Sequence, residues 1–353
     1  MTPQNPIFSR IGTIPRNGGF SQEGYRIWGS SVVRGDDKRY HMFASRIPSY
    51  MKFHPGWMIA SEIVRASSDT PEGPYTFEEV VLPPRGAEYW DGRSTHNPRM
   101  IKVGSKYVLF YMGSTHPFED CTPDNSELLT MQSGWCIVGR SNKRIGMAVS
   151  DSVDGPWERF DEPALNTKPG TYYSFLTSNP APAVGPNGRI YLIFKSRQYA
   201  GHKHSGMNIG LAVADSLDKP FTVVTDSPLF SKNQIGQVED PFLWADPSGF
   251  HLLAKDQDGE ITSERGAGIL AHSQNCIDWK LDAAPKAYSR TVTWDDGTTE
   301  TLGNLERVSG LFDDQGKLTT LFFAVWKGTD GFGVESAAAE AWNIAVPLRG
   351  EKG

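Results

Sequence analysis

Residues 236–244 read GQVEDPFLW, in which two adjacent acidic residues precede a proline and a short apolar run. A short motif of this kind, followed by a strand-like run, occurs five times along the chain. The five motifs are WGSSVV (28–33), HNPRMI (96–101), NPAPAV (179–184), EDPFLW (239–244) and ERVSGLF (306–312). A turn and a second run rich in aromatic and β-branched residues follow each motif, and this order is typical of a β-hairpin.

A second element recurs in step with the first. It reads VRASSDTPEGPYTF (64–77), IGMAVSDSVDGPWERF (145–160), IGLAVADSLDKPFTVV (209–224) and, in a degraded form, GILAHSQNCIDWKL (268–281). The combined unit repeats about every 60 to 80 residues, as expected for a propeller. We therefore predict an all-β, five-bladed β-propeller with four-stranded antiparallel blades around a central funnel. A β-sandwich is the alternative, but it gives no reason for the strand order to repeat.

Composition limits the partners of the protein. The chain has 353 residues, 35 basic and 41 acidic side chains and a net charge of -6. The charges are interspersed, so we expect no nucleic-acid partner and no anionic membrane surface, both of which need a basic face. The three cysteines lack metal-ligand spacing and cannot all pair, which argues against a disulfide framework or a structural zinc site.

Location and domain organisation follow from similar arguments. The first twenty residues lack the apolar core of a signal peptide. We expect a cytoplasmic protein, or a periplasmic or secreted one whose export signal has been removed. We expect one propeller domain over residues 1–353, with residues 1–20 as an N-terminal extension; a length prior alone would suggest two domains.

The innermost strands of a propeller begin near its axis, so their first side chains should face one funnel. These positions are Trp28–Ser30, His96–Asn97, Ser178–Asn179, Glu239–Asp240 and Glu306–Arg307. Charged groups are costly to bury unpaired, so their concentration at these points predicts a polar pocket. Crowding should also raise the pKa of some of the carboxyl groups there.

The five strand starts, with Glu leading EDPFLW in the fourth, resemble those of the five-bladed propeller glycoside hydrolases. That superfamily includes glycoside hydrolase families 43, 32, 62, 117 and 130. The resemblance covers roughly residues 20 to 348. The stretches WGSSVV, SEIVRASSDTPEGPY, HNPRM and EDPFLW are most similar to a family-43-like group. The resemblance implies that the domain is catalytic and that its partner is an oligosaccharide substrate.

Glycosidases of this kind need two carboxyl groups on opposite sides of the scissile bond. By resemblance, Glu239 stands where the general acid is expected. The relatives carry an aspartate at the start of blades one and two, where this chain has IWGSSVV and Asn97. We predict Asp91, in YWDGRSTHNP, as the base that replaces them, with Glu23, just before blade one, and Glu306, at the start of blade five, as the other candidates. His96 is a further candidate for the acid, because neoagarobiose hydrolases are thought to use a histidine.

The remaining predicted side chains would bind the substrate. Aromatic faces can stack on a sugar ring, and basic or amide groups can bind its hydroxyls or an acidic substituent. The predicted binding residues are Trp28, Ser30, Trp90, His96, Asn97, Asn179, Asp240, Lys255 and Arg307. We also expect Asp240 to have a structural role, holding a backbone group or an arginine.

The sequence therefore predicts a glycoside hydrolase that is exo-acting and inverting. A glycoside phosphorylase, in which phosphate replaces water, and a catalytically silent carbohydrate-binding propeller are the alternatives. The sequence requires no cofactor, although a structural cation on the propeller axis is compatible with it. The identity of the sugar and the oligomeric state are not encoded in any motif we recognise.

Overall fold

A computed structural model describes residues 4–231, 236–327 and 340–350. These residues form five antiparallel sheets arranged as a five-bladed β-propeller, so the predicted all-β fold is confirmed. The strands of blades one and two are β1 (Tyr25–Arg34), β2 (Tyr40–Pro48), β3 (Glu62–Ser68), β4 (Thr76–Leu82), β5 (Ser94–Val103), β6 (Lys106–Ser114), β7 (Arg144–Ser150) and β8 (Glu158–Arg159). Each of these two blades has the predicted four strands in the order of the chain.

The third and fourth blades continue the ring. Their strands, with the hairpin β11–β12 inserted in blade three, are β9 (Leu176–Val184), β10 (Ile190–Arg197), β11 (Tyr199–Ala200), β12 (Lys203–His204), β13 (Asn208–Ala214), β14 (Thr222–Val223), β15 (Phe230–Ser231), β16 (Val238–Asp246), β17 (Gly249–Asp256), β18 (Gly268–Ser273) and β19 (Lys280–Tyr288). Blade three has five strands rather than four, because the short β14 and β15 both pair with β13.

The fifth blade also departs from the predicted four strands. A separate hairpin, β20 (Thr291–Thr293) and β21 (Thr299–Thr301), precedes a sheet of β22 (Asn304–Phe312), β23 (Leu318–Trp326) and β24 (Ala341–Pro347). The N-terminal segment lies beside this sheet, since Phe20 forms a bridge with Asn343 and Ile11 with Leu348. The first and last described segments thus meet in the last blade, where β24 forms the closing strand.

Helices are few and short. The described residues include α1 (Phe53–Gly56), α2 (Gly134–Ser141) and two 3₁₀ turns, Phe8–Arg10 and Ser126–Leu128. None of the described helices has the length and hydropathy needed to cross a bilayer.

Apolar side chains hold the blades together. Each neighbouring pair of blades shares one cluster of buried residues, including the pair formed by blades five and one. In that closing cluster Val32 and Val64 of blade one pack with Leu311 and Phe322 of blade five. Because both faces of a blade are covered, its first two strands are buried along most of their length, and the second strand, such as KYVLFYMGS in blade two, is mostly apolar.

Every inner strand bends at the same place. The pairing register shifts within the strand start of all five blades, as in a β-bulge. The residue at the bend has a left-handed backbone in each case: Gly29 (φ 58°), Asn97 (56°), Asn179 (50°), Asp240 (55°) and Arg307 (58°). Glycine, asparagine and aspartate tolerate this region best, which accounts for four of the five residue types. The bend turns these side chains towards the propeller axis.

Candidate active site

A cavity of about 660 Å³ lies on the propeller axis, where the inner strands begin. The five strand starts converge there as predicted. Nine predicted residues line the cavity: Trp28, His96, Asn97, Asn179, Glu239, Asp240, Lys255, Glu306 and Arg307. The repeat in the sequence was sufficient to find all of them except Lys255, because equivalent positions in a ring of blades face the same axis.

Asp91, the predicted base, lies outside this cavity, and that assignment is corrected here. Its carboxylate is completely buried and is 2.8 Å from the guanidinium groups of both Arg85 and Arg159. The hydroxyl of Tyr111 donates a third hydrogen bond to it at 2.6 Å. Asp91 is therefore neutralised within blade two and holds the blade's outer edge together.

Two predicted binding residues are also outside the cavity. The ring of Trp90 stacks on Tyr111 with their centroids 5.8 Å apart, so this tryptophan packs in the blade instead of facing a sugar. Ser30 is fully buried one position beyond the bend at Gly29, and its side chain does not line the cavity. In both cases the residue type suited sugar binding, but the direction of the side chain did not.

The floor of the cavity is a chain of hydrogen bonds between the residues at the strand bends. The Asn97 amide donates to Asn179 at 3.1 Å, and the Asn179 amide donates to Asp240 at 2.9 Å. The Arg307 guanidinium donates to the same oxygen of Asp240 at 3.0 Å. Gly29 lies between Arg307 and Asn97. We call these five residues the polar floor. Asp240 has the structural role expected for it, because it holds an arginine.

Glu239 and Glu306 stand on the polar floor, each one residue before a bend. Both reach the ammonium group of Lys255, at 3.0 Å from Glu239 and 2.8 Å from Glu306. Since the two contacting oxygens share one partner, they are less than about 6 Å apart, which is closer than the roughly 6.5–9.5 Å spacing of inverting glycosidases. Lys195 forms a second ion pair with Glu239.

The two carboxyl groups have different electrostatic surroundings. Burial by itself raises the pKa of Glu239, but the charges of Lys195 and Lys255 outweigh it and hold that pKa well below the usual range. Burial also raises the pKa of Glu306; Lys255 opposes the rise, while the charges of Asp240 and Glu239 reinforce it. The site thus favours an ionised Glu239 beside a Glu306 that retains its proton to higher pH.

This difference runs against the prediction that Glu239 is the general acid. A general acid must carry a proton at the working pH, and the two ammonium groups in contact with Glu239 favour its ionised form. Glu306 meets that requirement better. The resemblance assigned the acid role to Glu239 from its position in the motif. The lysines that decide whether Glu239 is protonated, Lys195 and Lys255, lie on other strands.

Several basic residues of the cavity were not predicted. Arg140 and Lys143 come from the C-terminal end of α2 and the residues after it, and Lys195 and Arg197 come from the end of β10. Only Lys195 had a usable signal. Lys195, on the second strand of blade three, lies opposite Ser178 on the first strand. Lys255 lies opposite Glu239 in the same way in blade four, so the repeat places both lysines at the same level.

An aromatic and imidazole wall faces the basic residues. Trp57 stacks on His96 with centroids 5.2 Å apart, and its indole donates to Nδ1 of His54 at 3.0 Å. Burial and the nearby cations Lys143 and Arg140 lower the pKa of His54 to about 4. Burial and the charge of Arg307 also hold the pKa of His96 well below its usual range. Both imidazoles are neutral near pH 7, so His96 is a poor candidate for the acid.

The propeller axis is poorly suited to a cation. It carries the Arg307 guanidinium, with Arg99 donating to the carbonyl oxygens of Ser30 and Val308 nearby. The one axial carboxylate, Asp240, is already paired with Arg307. Within residues 4–231, 236–327 and 340–350, no group of three or more His, Cys, Asp or Glu is placed to hold a metal ion. The structure therefore offers no support for the structural cation considered from the sequence.

Comparison with solved structures supports the fold assignment. A family 117 glycoside hydrolase from the marine bacterium Zobellia galactanivorans superposes with a TM-score of 0.66 at 16% identity, covering 98% of this chain and 91% of that one. An endo-arabinase from Bacteroides thetaiotaomicron gives 0.56 at 14% identity, covering 97% and 98%. A family 43 β-xylosidase/α-arabinofuranosidase from a compost microbial metagenome gives 0.59 at 15% identity, covering 95% and 94%.

These three proteins share the five-bladed propeller of the superfamily that the sequence resembles. No family model matches the chain, and no curated protein matches it in sequence. At such low identity the likeness establishes the fold, while the reaction must be argued from the site.

Proposed function

We propose that the protein is a glycoside hydrolase in which Glu239 and Glu306 are the two reacting carboxyl groups. The observation that carries this proposal is the presence of both groups in one cavity, on adjacent blades, in contact with the same ammonium group of Lys255. Two carboxyl groups in opposite protonation states are the requirement for cleaving a glycosidic bond. The glycoside hydrolases among the structural neighbours add support from the fold.

The roles follow from the electrostatics. Glu306, with its raised pKa, would protonate the oxygen of the departing sugar. Glu239, kept ionised by Lys195 and Lys255, would attack the anomeric carbon on the opposite side. Water would then attack the glycosyl-enzyme and release Glu239, and the ionised Glu306 would take a proton from that water, which restores its acid form. The sequence suggested inversion. Inverting enzymes, however, hold their two carboxyl groups roughly 6.5–9.5 Å apart, and an oxygen separation below about 6 Å favours a retaining mechanism.

The shape of the cavity supports an exo mode of action. The polar floor closes the inner end through the hydrogen bonds of Asn97, Asn179, Asp240 and Arg307. A pocket closed at one end accepts the end of a saccharide chain and excludes its middle. We therefore propose that the enzyme releases a terminal sugar from an oligosaccharide.

The test is hydrolysis of a panel of aryl glycosides, in both anomeric forms, by wild type, Glu239→Gln and Glu306→Gln. We expect Glu239→Gln to lower kcat by more than about 10⁴-fold, as for a removed nucleophile. Glu306→Gln should lower kcat by about 10²–10⁴-fold on substrates with poor leaving groups. On substrates with a good phenolate leaving group the loss of kcat should be much smaller, because a stable phenolate needs no proton. In wild type, activity should fall as the pH rises through the pKa of Glu306, and this decline should be absent in Glu306→Gln.

Glu79→Gln is the matched control, because Glu79 pairs with Arg65 at the outside of blade one and does not line the cavity. It should leave the rates unchanged. Equal and modest losses in Glu239→Gln and Glu306→Gln, or product of inverted configuration, would contradict the assigned roles. No turnover on any glycoside would favour a carbohydrate-binding propeller.

Phosphorolysis is a second candidate, because three cationic side chains of the cavity, Arg140, Lys143 and Arg197, could hold inorganic phosphate in place of water. The same panel assayed with and without phosphate distinguishes the two reactions. Turnover that requires phosphate and yields a sugar phosphate would make the protein a phosphorylase.

A further inference from the structure

Several cations of the cavity lack an acidic partner in the described part of the chain, and three of them act on one another through their charges. Arg140 contacts the sulfur of Met131 at 4.0 Å, and the ammonium group of Lys143 lies 3.8 Å from the ring centre of Trp57. Arg197 donates to the carbonyl oxygen of Ser205 at 2.6 Å. All three line the cavity. We call Arg140, Lys143 and Arg197 the cationic wall.

The cationic wall lowers the stability of the folded protein. Lys143 is only 5% exposed, and an unpaired charge at such a position loses its hydration without compensation. Burial and the neighbouring charges of Lys195 and Arg140 hold the pKa of Lys143 well below its usual range. Burial also lowers the pKa of Arg197; Glu239 opposes the effect and Arg140 adds to it. These cations repel one another, so their assembly in one pocket requires a compensating benefit.

An anion is the ligand that would provide it. Two guanidinium groups and one ammonium group around a common space match the planar or tetrahedral oxygens of a carboxylate, a sulfate or a phosphate. Of the other basic residues that line the cavity, Lys195 and Lys255 pair with Glu239 and Arg307 pairs with Asp240, whereas Arg265 and Arg290 form no ion pair among the described residues. The cationic wall therefore offers a ligand a group of three positive charges, and Arg265 and Arg290 are further unpaired cations of the same cavity.

The position of the wall indicates where on the substrate the negative charge would lie. Lys195 contacts the carboxylate of Glu239 and at the same time lowers the pKa of Lys143 through its charge. The wall is thus next to the reacting carboxyl groups, on the side of the cavity formed by Trp57 and His96. A sugar whose anomeric carbon faces Glu239 would direct a substituent of its own ring, or of the adjoining ring, towards these cations.

We infer that the substrate is an acidic saccharide and that the cationic wall binds a carboxylate or sulfate group carried by the sugar. This inference rests on the proposed hydrolase function for the identity of the ligand as a sugar. It is distinct from phosphorolysis, because the anion is part of the saccharide and is not consumed.

Equilibrium binding tests the inference without any turnover. Titration calorimetry would compare galacturonate with galactose, glucuronate with glucose, and galactose 6-sulfate with galactose, with inorganic sulfate and phosphate as further probes. We expect the acidic member of at least one pair to bind at least about tenfold more tightly than its neutral partner. Arg140→Gln and Lys143→Met should each weaken that acidic sugar by about 10- to 100-fold, the usual effect of losing a hydrogen bond to a charged group.

Arg144→Gln is the matched control. Arg144 follows Lys143 in the chain, but its side chain binds Asn166 and the carbonyl oxygen of Ser141 and does not line the cavity. It should bind both members of each pair as wild type does. Circular dichroism and thermal unfolding check that every variant folds, and Arg197→Gln replaces any variant that does not.

Two results would overturn the inference: equal binding of the acidic and neutral members of every pair, or unchanged acidic-sugar binding in all three wall variants. Tighter binding of inorganic phosphate or sulfate than of any sugar acid would also overturn it, as would binding of an adventitious ion only. The hydrolase proposal is contradicted by different results from those that contradict the anion site. A protein that prefers acidic sugars but cleaves no glycoside keeps the anion site, whereas cleavage of neutral glycosides without that preference keeps only the hydrolase.

Discussion

The polar floor and the cationic wall of the cavity are both built from buried polar side chains, but only the floor is neutralised internally. On the floor, the carboxylate of Asp240 accepts from Asn179 and from Arg307, so its charge is balanced within the fold. On the wall, Arg140, Lys143 and Arg197 line the same cavity without an ion pair to a carboxylate of the described residues. Buried polar side chains that are paired with one another stabilise a fold. Buried charged side chains without a partner are expected where a ligand supplies the opposite charge.

The strongest test of this comparison is removal of the floor's one carboxylate. Asp240→Asn should lower the free energy of unfolding by about 3–5 kcal/mol, because it leaves Arg307 buried without a counter-charge. Chemical denaturation at neutral pH would measure the loss. Asp314→Asn is the control: Asp314 pairs with Arg34 at the surface, with 81% of its side chain exposed, so little change is expected. A loss below about 1 kcal/mol in Asp240→Asn would show that the floor is not held by this pair.

The wall should respond in the opposite direction. Lys143→Met removes a cation that lacks an acidic partner but keeps a side chain of similar length against Trp57. We expect the free energy of unfolding to rise by about 1 kcal/mol, the common result when a group kept for function is replaced by an apolar one. Denaturation curves of the two proteins without any added anion would measure the change. Destabilisation comparable to that of Asp240→Asn would remove the distinction between floor and wall.

The smallest effect concerns the backbone of the floor. Gly29 has a φ of 58°, like the four other bend residues, but carries no side chain. A Cβ there would be 3.4 Å from Asn97 and 3.6 Å from Arg307, which is ordinary contact, so space is not limiting. Gly29→Ala should therefore lower the free energy of unfolding by only about 1 kcal/mol, the cost of holding an alanine in the left-handed backbone region. Thermal unfolding compared with Gly24→Ala, at an exposed turn that also has positive φ, would show whether the bend in blade one bears extra strain.

Much of the site could be predicted because a propeller is a repeat. Trp28, His96, Glu239 and Glu306 occupy equivalent positions in their blades, and any repeat closed into a ring brings such positions to one axis. Lys195 could have been found by the same logic, from its correspondence with Lys255. Arg140 and Lys143 could not, because they lie in the long connection between β6 and β7, outside the repeated strand motifs.

The incorrect assignments share a cause. Asp91 and Trp90 were attractive because an acid and an aromatic pair lie just before blade two. A local pattern does not reveal which way a side chain points, however, and both turn into the blade, towards Arg85, Arg159 and Tyr111. The acid assignment of Glu239 has a related weakness, since the ionisation of this residue depends on lysines contributed by β10 and β17.

By itself, the sequence determined the class of fold, the number of blades and the axial positions of Glu239 and Glu306, because strand patterns and turns are local and their repetition implies a ring. Only the tertiary structure decided which carboxyl group keeps a proton, which polar residues are neutralised and where uncompensated positive charge remains. These properties depend on distances between side chains from different blades. Electrostatic interactions in a buried pocket change steeply with such distances, and the spacing of residues along the chain does not encode them.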